Sequence, residues 1–294
     1  MAVCVQGDVL EELLRLLELE EIEENIFRGQ SQDLGFKNVF GGQVLGQALS
    51  AASYTVPPER SAHSLHAYFL RPGDATRPIV YTVENMRDGK SFSTRRVKAI
   101  QKGQPIFSMA VSFQREETGF EHQDTMPEVP GPDGIASEKE MVQKLADRIP
   151  PGIRENILCV IPIEMRIVSP VDPFQPEKKP PQKYVWFRTV NPLPDDAATH
   201  RYMLAYASDF NLVTTSLYPH GHTFWESKMQ VASLDHAMWF HRPFRMDQWM
   251  LYAIESPSAS QARGMSIGRI FTREGQLVAT VAQEGLIRYY GNKD

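Results

Sequence analysis

Asp209 is set apart by its neighbours. If residues 195–213 form a helix, Tyr202, Ala205, Tyr206, Asp209, Leu212 and Val213 recur at spacings of three and four, which places them on one face. A carboxylate inside an apolar and aromatic stripe loses water, and a desolvated carboxylate suits the work of a general base. The same residue could instead cap the following turn, and the stripe alone leaves both readings open. Ser233 in VASLDH and Gln283 in LVATVAQEG are the polar residues best suited to join it. A hydroxyl and an amide beside a carboxylate can position one water and polarise one carbonyl, although each could simply satisfy backbone groups. Asp235 and His236 are adjacent in a strand-like run, so regular β structure sends their side chains to opposite faces and forbids a dyad.

Other patterns carry less. Gly264-Met265-Ser266-Ile267-Gly268 matches the G-x-S-x-G of serine hydrolases, but that motif needs a strand, a sharp turn and then a helix. Here RIFTREGQLVATV follows and reads as strand, turn, strand, so the match is coincidental. His220, His222, His236 and His241 lack a metal-ligand spacing and read as core or loop residues; neither a metal nor a cofactor is expected. Arg87, Lys90, Arg95, Arg96 and Lys98 could meet phosphates, but a solvated strand face accounts for them.

The elements that must position these residues come twice. SAHSLHAYFLRP (61–72) and MQVASLDHAMWFHRPF (229–244) share Ser-Leu, His-Ala, a run of aromatics and Arg-Pro, with His66 and His236 170 residues apart. Gly103-Gln104 and Gly275-Gln276 open two further strand-like runs 172 residues apart. Two matches at nearly one offset indicate an internal duplication. In the first unit, a helix over 41–56, rich in Ala, Gly and Ser, lets neighbours approach its backbone and suits burial in a curved sheet. Strands at 63–70, 78–87, 91–101 and 105–114 follow, with turn signals at 87–90 and 102–104. In the second unit a strand at 183–190 and the helix at 195–213 precede strands at 229–241, 247–255, 261–272 and 277–288. Helix plus antiparallel meander is an α+β pattern. Between the units, residues 116–181 hold 11 of the 21 prolines; apolar runs persist there, so the stretch reads as an ordered connector with a short helix. At the front, Asp8 caps a helix whose stripe is Leu10, Leu13, Leu14 and Leu17, with Glu11 completing a capping box. Residues 21–32 form a first strand. The expected organisation is thus 1–115, 116–181 and 182–294.

Bulk properties exclude several classes. A chain of 294 residues can bury roughly three quarters of its unfolded surface. It has no apolar run long enough to span a bilayer and no basic-then-apolar leader, so neither a membrane partner nor secretion is expected. Cys4 and Cys159 are too few for a disulfide framework or a zinc site. A net charge of −5 without a long basic run argues against nucleic acid. A cytoplasmic protein is the simplest reading.

The blocks FRGQSQDLGFKNVFGGQVLGQAL, HAYFLRPGD, RDGKSFSTRRVKAIQKGQPIF, LAYASDFNL, LDHAMWFHRPF and VAQEG together resemble the type II acyl-CoA thioesterases, the bacterial TesB-like enzymes and their peroxisomal relatives, over nearly the whole chain. That resemblance implies a double hotdog fold, with two antiparallel sheets each wrapped around a long central helix. It implies hydrolysis of fatty acyl-CoA to free fatty acid and CoA, without a cofactor. The family's catalytic aspartate matches Asp209, its hydroxyl residue Ser233 and its glutamine Gln283, with the aspartate as general base on a water held by the other two. Hotdog proteins commonly associate through their sheets, so a homo-oligomer, dimer or tetramer, is expected. Two alternatives remain. One is a hydratase-like enzyme, although Thr214 stands where the hydratase D-x-N-P-x-H run has its histidine. The other is a non-catalytic acyl-CoA-binding module, which would have no need of all three residues.

Overall fold

The computed structural model describes residues 8–34, 38–149 and 161–291; Cys4 and Cys159 lie outside the described residues. In chain order the elements are α1 (Val9–Leu17), β1 (Glu20–Glu23), β2 (Ile26–Gly29), α2 (Gly41–Ser53), β3 (Arg60–Phe69), β4 (Ile79–Asp88), β5 (Phe92–Gln101) and β6 (Gln104–Arg115). The connector carries α3 (Glu138–Lys144) and β7 (Ile163–Ile167). Then come β8 (Gln182–Thr189), α4 (Ala197–Ser208), α5 (Leu212–Thr215), β9 (Met229–Ser233), β10 (Asp235–Phe240), β11 (Met250–Ser260), β12 (Arg263–Thr272) and β13 (Leu277–Tyr289). Asp8 caps α1 through its carboxylate, which accepts from the N–H groups of Leu10 and Glu11. Residues 21–32 hold two short paired strands rather than one, because Asn25 turns the chain at φ 61°.

The strand order shows the duplication. One half runs β2-β4-β5-β6-β3 and the other β8-β11-β12-β13-β10, the same sequence of places, each with its helix threaded before the last-placed strand. The Gly-Gln turns are the matching hairpins, Gly103 at φ 72° and Gly275 at φ 90°, backbone that glycine adopts without a Cβ penalty. The repeated His-Ala strands meet each other. β3 pairs antiparallel with β10, setting His236 opposite Ala67 and Ala237 opposite His66. The two half-sheets are therefore joined edge to edge into one antiparallel sheet, and neither leaves that edge open.

Inside the curve, α2 and α4 lie against each other. A Cβ on Gly42 would sit 2.2 Å from the Tyr206 carbonyl oxygen, and one on Gly46 3.1 Å from that of Tyr202. Moving four residues up α2 moves four residues down α4, so the helices are antiparallel and their small residues permit backbone-level contact. One apolar core embraces both, drawing on Leu45, Leu49, Leu65 and Phe113 from the first half and Met203, Leu204, Met250 and Val281 from the second. Antiparallel packing sets the start of α2 beside the end of α4.

Two expectations need correction. The helix over 195–213 stops at Ser208 because Asn211 takes φ 67° and turns the chain into the separate α5. The run 87–98 is not a uniformly solvated face. Arg95 is only 2% exposed and is held by Thr55 and Asp88, because it shares the inward face of β5 with Ser93, Val97 and Ala99. Arg96 and Lys98 do face outward.

Candidate active site

Where α4 ends, Asp209 is the C-cap residue rather than a mid-helix one. Its side chain is 4% exposed, buried as the stripe implied, but at the mouth of the helix pair. Three elements converge on it. Ser233, the last residue of β9, donates its hydroxyl to Asp209 Oδ1 at 3.1 Å, and Gln283 of β13 donates Nε2–H to the same oxygen at 2.7 Å. The three residues singled out from the sequence therefore meet at one carboxylate oxygen.

The other oxygen is left to the opposite half of the molecule. A Cβ on Gly41 would lie 2.6 Å from Asp209 Oδ2 and 3.0 Å from the Phe69 ring. Gly41 is the first residue of α2, and its N-cap residue Phe40 has no side-chain acceptor to offer the helix. The first N–H groups of a helix have no intrahelical acceptor and carry the positive end of its dipole. Asp209 Oδ2 thus faces an electropositive helix start, walled by aromatic rings. Phe40 stacks on Phe210 at 4.4 Å between centroids and meets Tyr206 edge-on at 5.2 Å.

Behind the carboxylate lies a buried relay. The second Nε2 hydrogen of Gln283 reaches His236 Nδ1 at 3.1 Å, making Nδ1 the acceptor and leaving the ring proton on Nε2. Nε2 then donates to Ser208 Oγ at 3.0 Å, whose hydroxyl donates to the Ala205 carbonyl at 2.9 Å. Reversing the Gln283 amide would set two acceptors against each other at Asp209, so the orientation is decided electrostatically. Burial pulls the His236 pKa down to about 4, partly opposed by the nearby Asp209 carboxylate; the ring is neutral at pH 7. Tyr252 donates to the Ser208 carbonyl at 3.0 Å, and burial, then the Asp209 charge, raises its phenol pKa.

His236 joins the site because of an irregularity. The expected strand 229–241 breaks at Leu234, whose N–H bonds to the Glu284 carbonyl at 3.0 Å, while Asp235 Oδ1 accepts the Glu284 N–H at 2.6 Å. In an unbroken strand Ser233 and His236, three apart, would face opposite ways. The break shifts the phase, and both turn toward Asp209. Asp235 and His236 form no dyad, as alternation required.

Ser266 lies mid-strand in β12, opposite Gln283, with its hydroxyl fully buried. Gly264 and Gly268 flank it on the inward face, where a Cβ would meet Ser216 Oγ at 2.1 Å and the Tyr252 ring at 2.1 Å. The G-x-S-x-G spacing is a seat for the turn after α4, not a nucleophile elbow. Two participants that the sequence reading did not assign to the site are His236 and the Gly41 end of α2. The repeated His-Ala pair marked His236, but only pairing shows where it points.

The far end of the helix pair lacks these features. There α2 closes on Tyr54 rather than an acid, and Asp196 caps α4 by accepting from Ala198 and Thr199 N–H. Of the two pseudo-equivalent ends, one sets a carboxylate beside a helix start whose N-cap residue is a phenylalanine.

Comparison with known proteins gives two matching family models. The "Acyl-CoA thioesterase" model covers residues 159–286 and the "Acyl-CoA thioesterase N-terminal domain" model residues 30–114. Acyl-CoA thioesterase 2 of Haemophilus influenzae is 48% identical over 283 residues, 96% of this chain and 99% of that protein. The crystal structure of acyl-CoA thioesterase II TesB2 from Mycobacterium marinum superposes with a TM-score of 0.77 at 44% identity, covering 94% of this chain and 98% of that one. A hot dog fold protein of unknown function from Alicyclobacillus acidocaldarius, at 19% identity and TM-score 0.75 over 95% of this chain and 99% of that one, shares the fold.

Proposed function

The chain belongs to the acyl-CoA thioesterase family, and on that premise we propose that it hydrolyses fatty acyl-CoA with Asp209 as the general base. The observation that carries the reading is the division of labour between the two carboxylate oxygens. Oδ1 is occupied by Ser233 and Gln283, so in this reading the two fix the carboxylate plane of the base, where the family resemblance implied that they hold the water. Oδ2 faces the start of α2 and takes the proton.

A water beside Oδ2 gives up a proton to it and attacks the thioester carbonyl carbon. The carbonyl electrons pass to oxygen, and the first N–H groups of α2 with their dipole lie where that negative charge develops. Collapse of the tetrahedral intermediate breaks the C–S bond, and the departing CoA sulfur receives the proton from Asp209. Free acid, CoA thiol and the starting carboxylate result. Aromatic walls exclude competing water and favour an apolar acyl group next to the carbonyl. Positioned base catalysis typically supplies about 10²–10⁴-fold, with orientation and oxyanion stabilisation adding to it. Among the described residues the opposite end, where Asp196 caps α4, offers no matching carboxylate at a helix start.

Free thiol release from acyl-CoAs of graded length, with Asp209→Asn beside the wild type, tests this. Asparagine keeps an acceptor for Ser233 and Gln283 but cannot take the proton, so turnover should fall at least about 10²-fold in a folded protein. A variant with near wild-type kcat would remove Asp209 from the role.

A further inference from the structure

Lys183 is 7% exposed, a burial that lysine seldom accepts without partners. It enters near the start of β8 and ends under the turn that follows α4. Its ammonium donates to Asn211 Oδ1 at 3.0 Å and Thr214 Oγ1 at 3.1 Å, and lies 5.0 Å over the Tyr218 ring. Burial lowers its pKa to about 8, with Glu138 of the connector helix α3 opposing the shift. A buried charge of this kind is not needed for packing, since apolar residues of similar volume often serve as well or better.

What it grips is the segment two residues beyond Asp209. Asn211 holds φ 67°, left-handed backbone that a non-glycine residue adopts at some cost. Side chains hold it there. Its carbonyl accepts from the hydroxyls of Thr214 at 3.0 Å and Thr215 at 2.9 Å, and its amide reaches Met165 Sδ at 3.4 Å. Lys183 closes the ring by bonding both Asn211 and Thr214. Asp209 itself is a helix-end residue, so its direction depends on how this turn departs.

We propose that Lys183 is a positioning residue: by clamping Asn211 and Thr214 it fixes the left-handed turn that aims the Asp209 carboxylate at the start of α2. This rests on the reading of Asp209 as the base. The clamp acts on the reacting geometry, so its loss lowers kcat with little effect on KM, and it acts through Asn211.

A double-mutant cycle in the full-length chain tests it, using Lys183→Met, Asn211→Gly and both together. Glycine keeps the left-handed backbone and the carbonyl that Thr214 and Thr215 hold, and removes the acceptor for Lys183 together with the amide contact to Met165. Each single variant should lower kcat about 10–100-fold, the scale that misplacing a reacting group by about 1 Å can reach. The double variant should fall well short of the product of the two single losses, because both variants remove the Lys183–Asn211 bond. Losses that multiply in the double variant, a Lys183→Met enzyme with wild-type kcat, or a fall that merely follows the loss of folded protein on thermal unfolding would each overturn the clamp. If Lys183→Met does not fold, Lys183→Gln takes its place in the same cycle. Asp209→Asn run alongside separates the two ideas. An active Asp209→Asn refutes the base, whereas an inactive one with multiplying losses refutes only the clamp.

Discussion

Replacing Gly41 by alanine places a single methyl group against the reacting oxygen. Its Cβ would lie 2.6 Å from Asp209 Oδ2, where ordinary contact begins at 3.4 Å, so the carboxylate or the helix start must yield by roughly 0.8 Å. The Phe69 ring, 3.0 Å from the same Cβ, crowds it as well. Misplacement of about 1 Å can cost roughly 10²-fold in rate, which sets the expected fall in kcat at about 10–100-fold. Stability should fall much less than activity. Gly41 is not among the positive-φ glycines, so the roughly 0.4–1 kcal/mol that alanine gains through the unfolded chain offsets part of the overpacking. The assay is therefore paired: kcat and KM from thiol release, and the thermal unfolding midpoint of the same sample. Activity lost while the protein stays folded at the assay temperature supports the geometry. Unchanged kcat would mean that Oδ2 does not use the space beside Gly41, and the division of labour between the two oxygens would fall with it.

The neutral, buried His236 makes stability depend on pH. Its folded pKa is depressed from 6.5 to about 4, so between those values the unfolded chain binds a proton that the folded one does not. Stability from this group is fully present above pH 6.5 and declines toward pH 4, by up to roughly 1.4 kcal/mol per pH unit. Urea unfolding of the wild type and His236→Gln over that range should show a shallower slope in the variant; equal slopes would assign the effect elsewhere. Ser266→Ala should retain thiol release within a few-fold, and the wild type should resist labelling by a fluorophosphonate; labelling at Ser266 would revive the serine-hydrolase pattern. Gly264→Ala, by contrast, should cost about 1–3 kcal/mol in unfolding free energy through overpacking, since the new Cβ meets Ser216 at 2.1–2.5 Å.

Much of the architecture was legible because it rests on local periodicity. Alternation and turn residues place the meanders within a few residues, and the repeated blocks announce two units before any coordinate is seen. The trio of Asp209, Ser233 and Gln283 was reached from residue type, and more firmly from family resemblance, and the structure gathers all three. Arg95 could have been found as well, since Ser93, Arg95, Val97 and Ala99 occupy alternate positions of one strand; the surrounding charges concealed an inward-facing member.

What the chain alone determined, then, is the identity of the chemical groups and the order of the elements that carry them, both written in spacings of two, three and four residues. Their convergence was decided only in three dimensions. The break at Leu234 turns His236 toward Ser233, and Asn211 ends the helix so that Asp209 stands at its mouth. Gly41, 168 positions earlier in the sequence, meets Asp209 because two helices pack antiparallel through small residues. None of these has a local signature. Each is a short-range irregularity or a long-range approach tolerated because the surrounding sheet and core over-determine it, and that balance exists only once the chain has closed on itself.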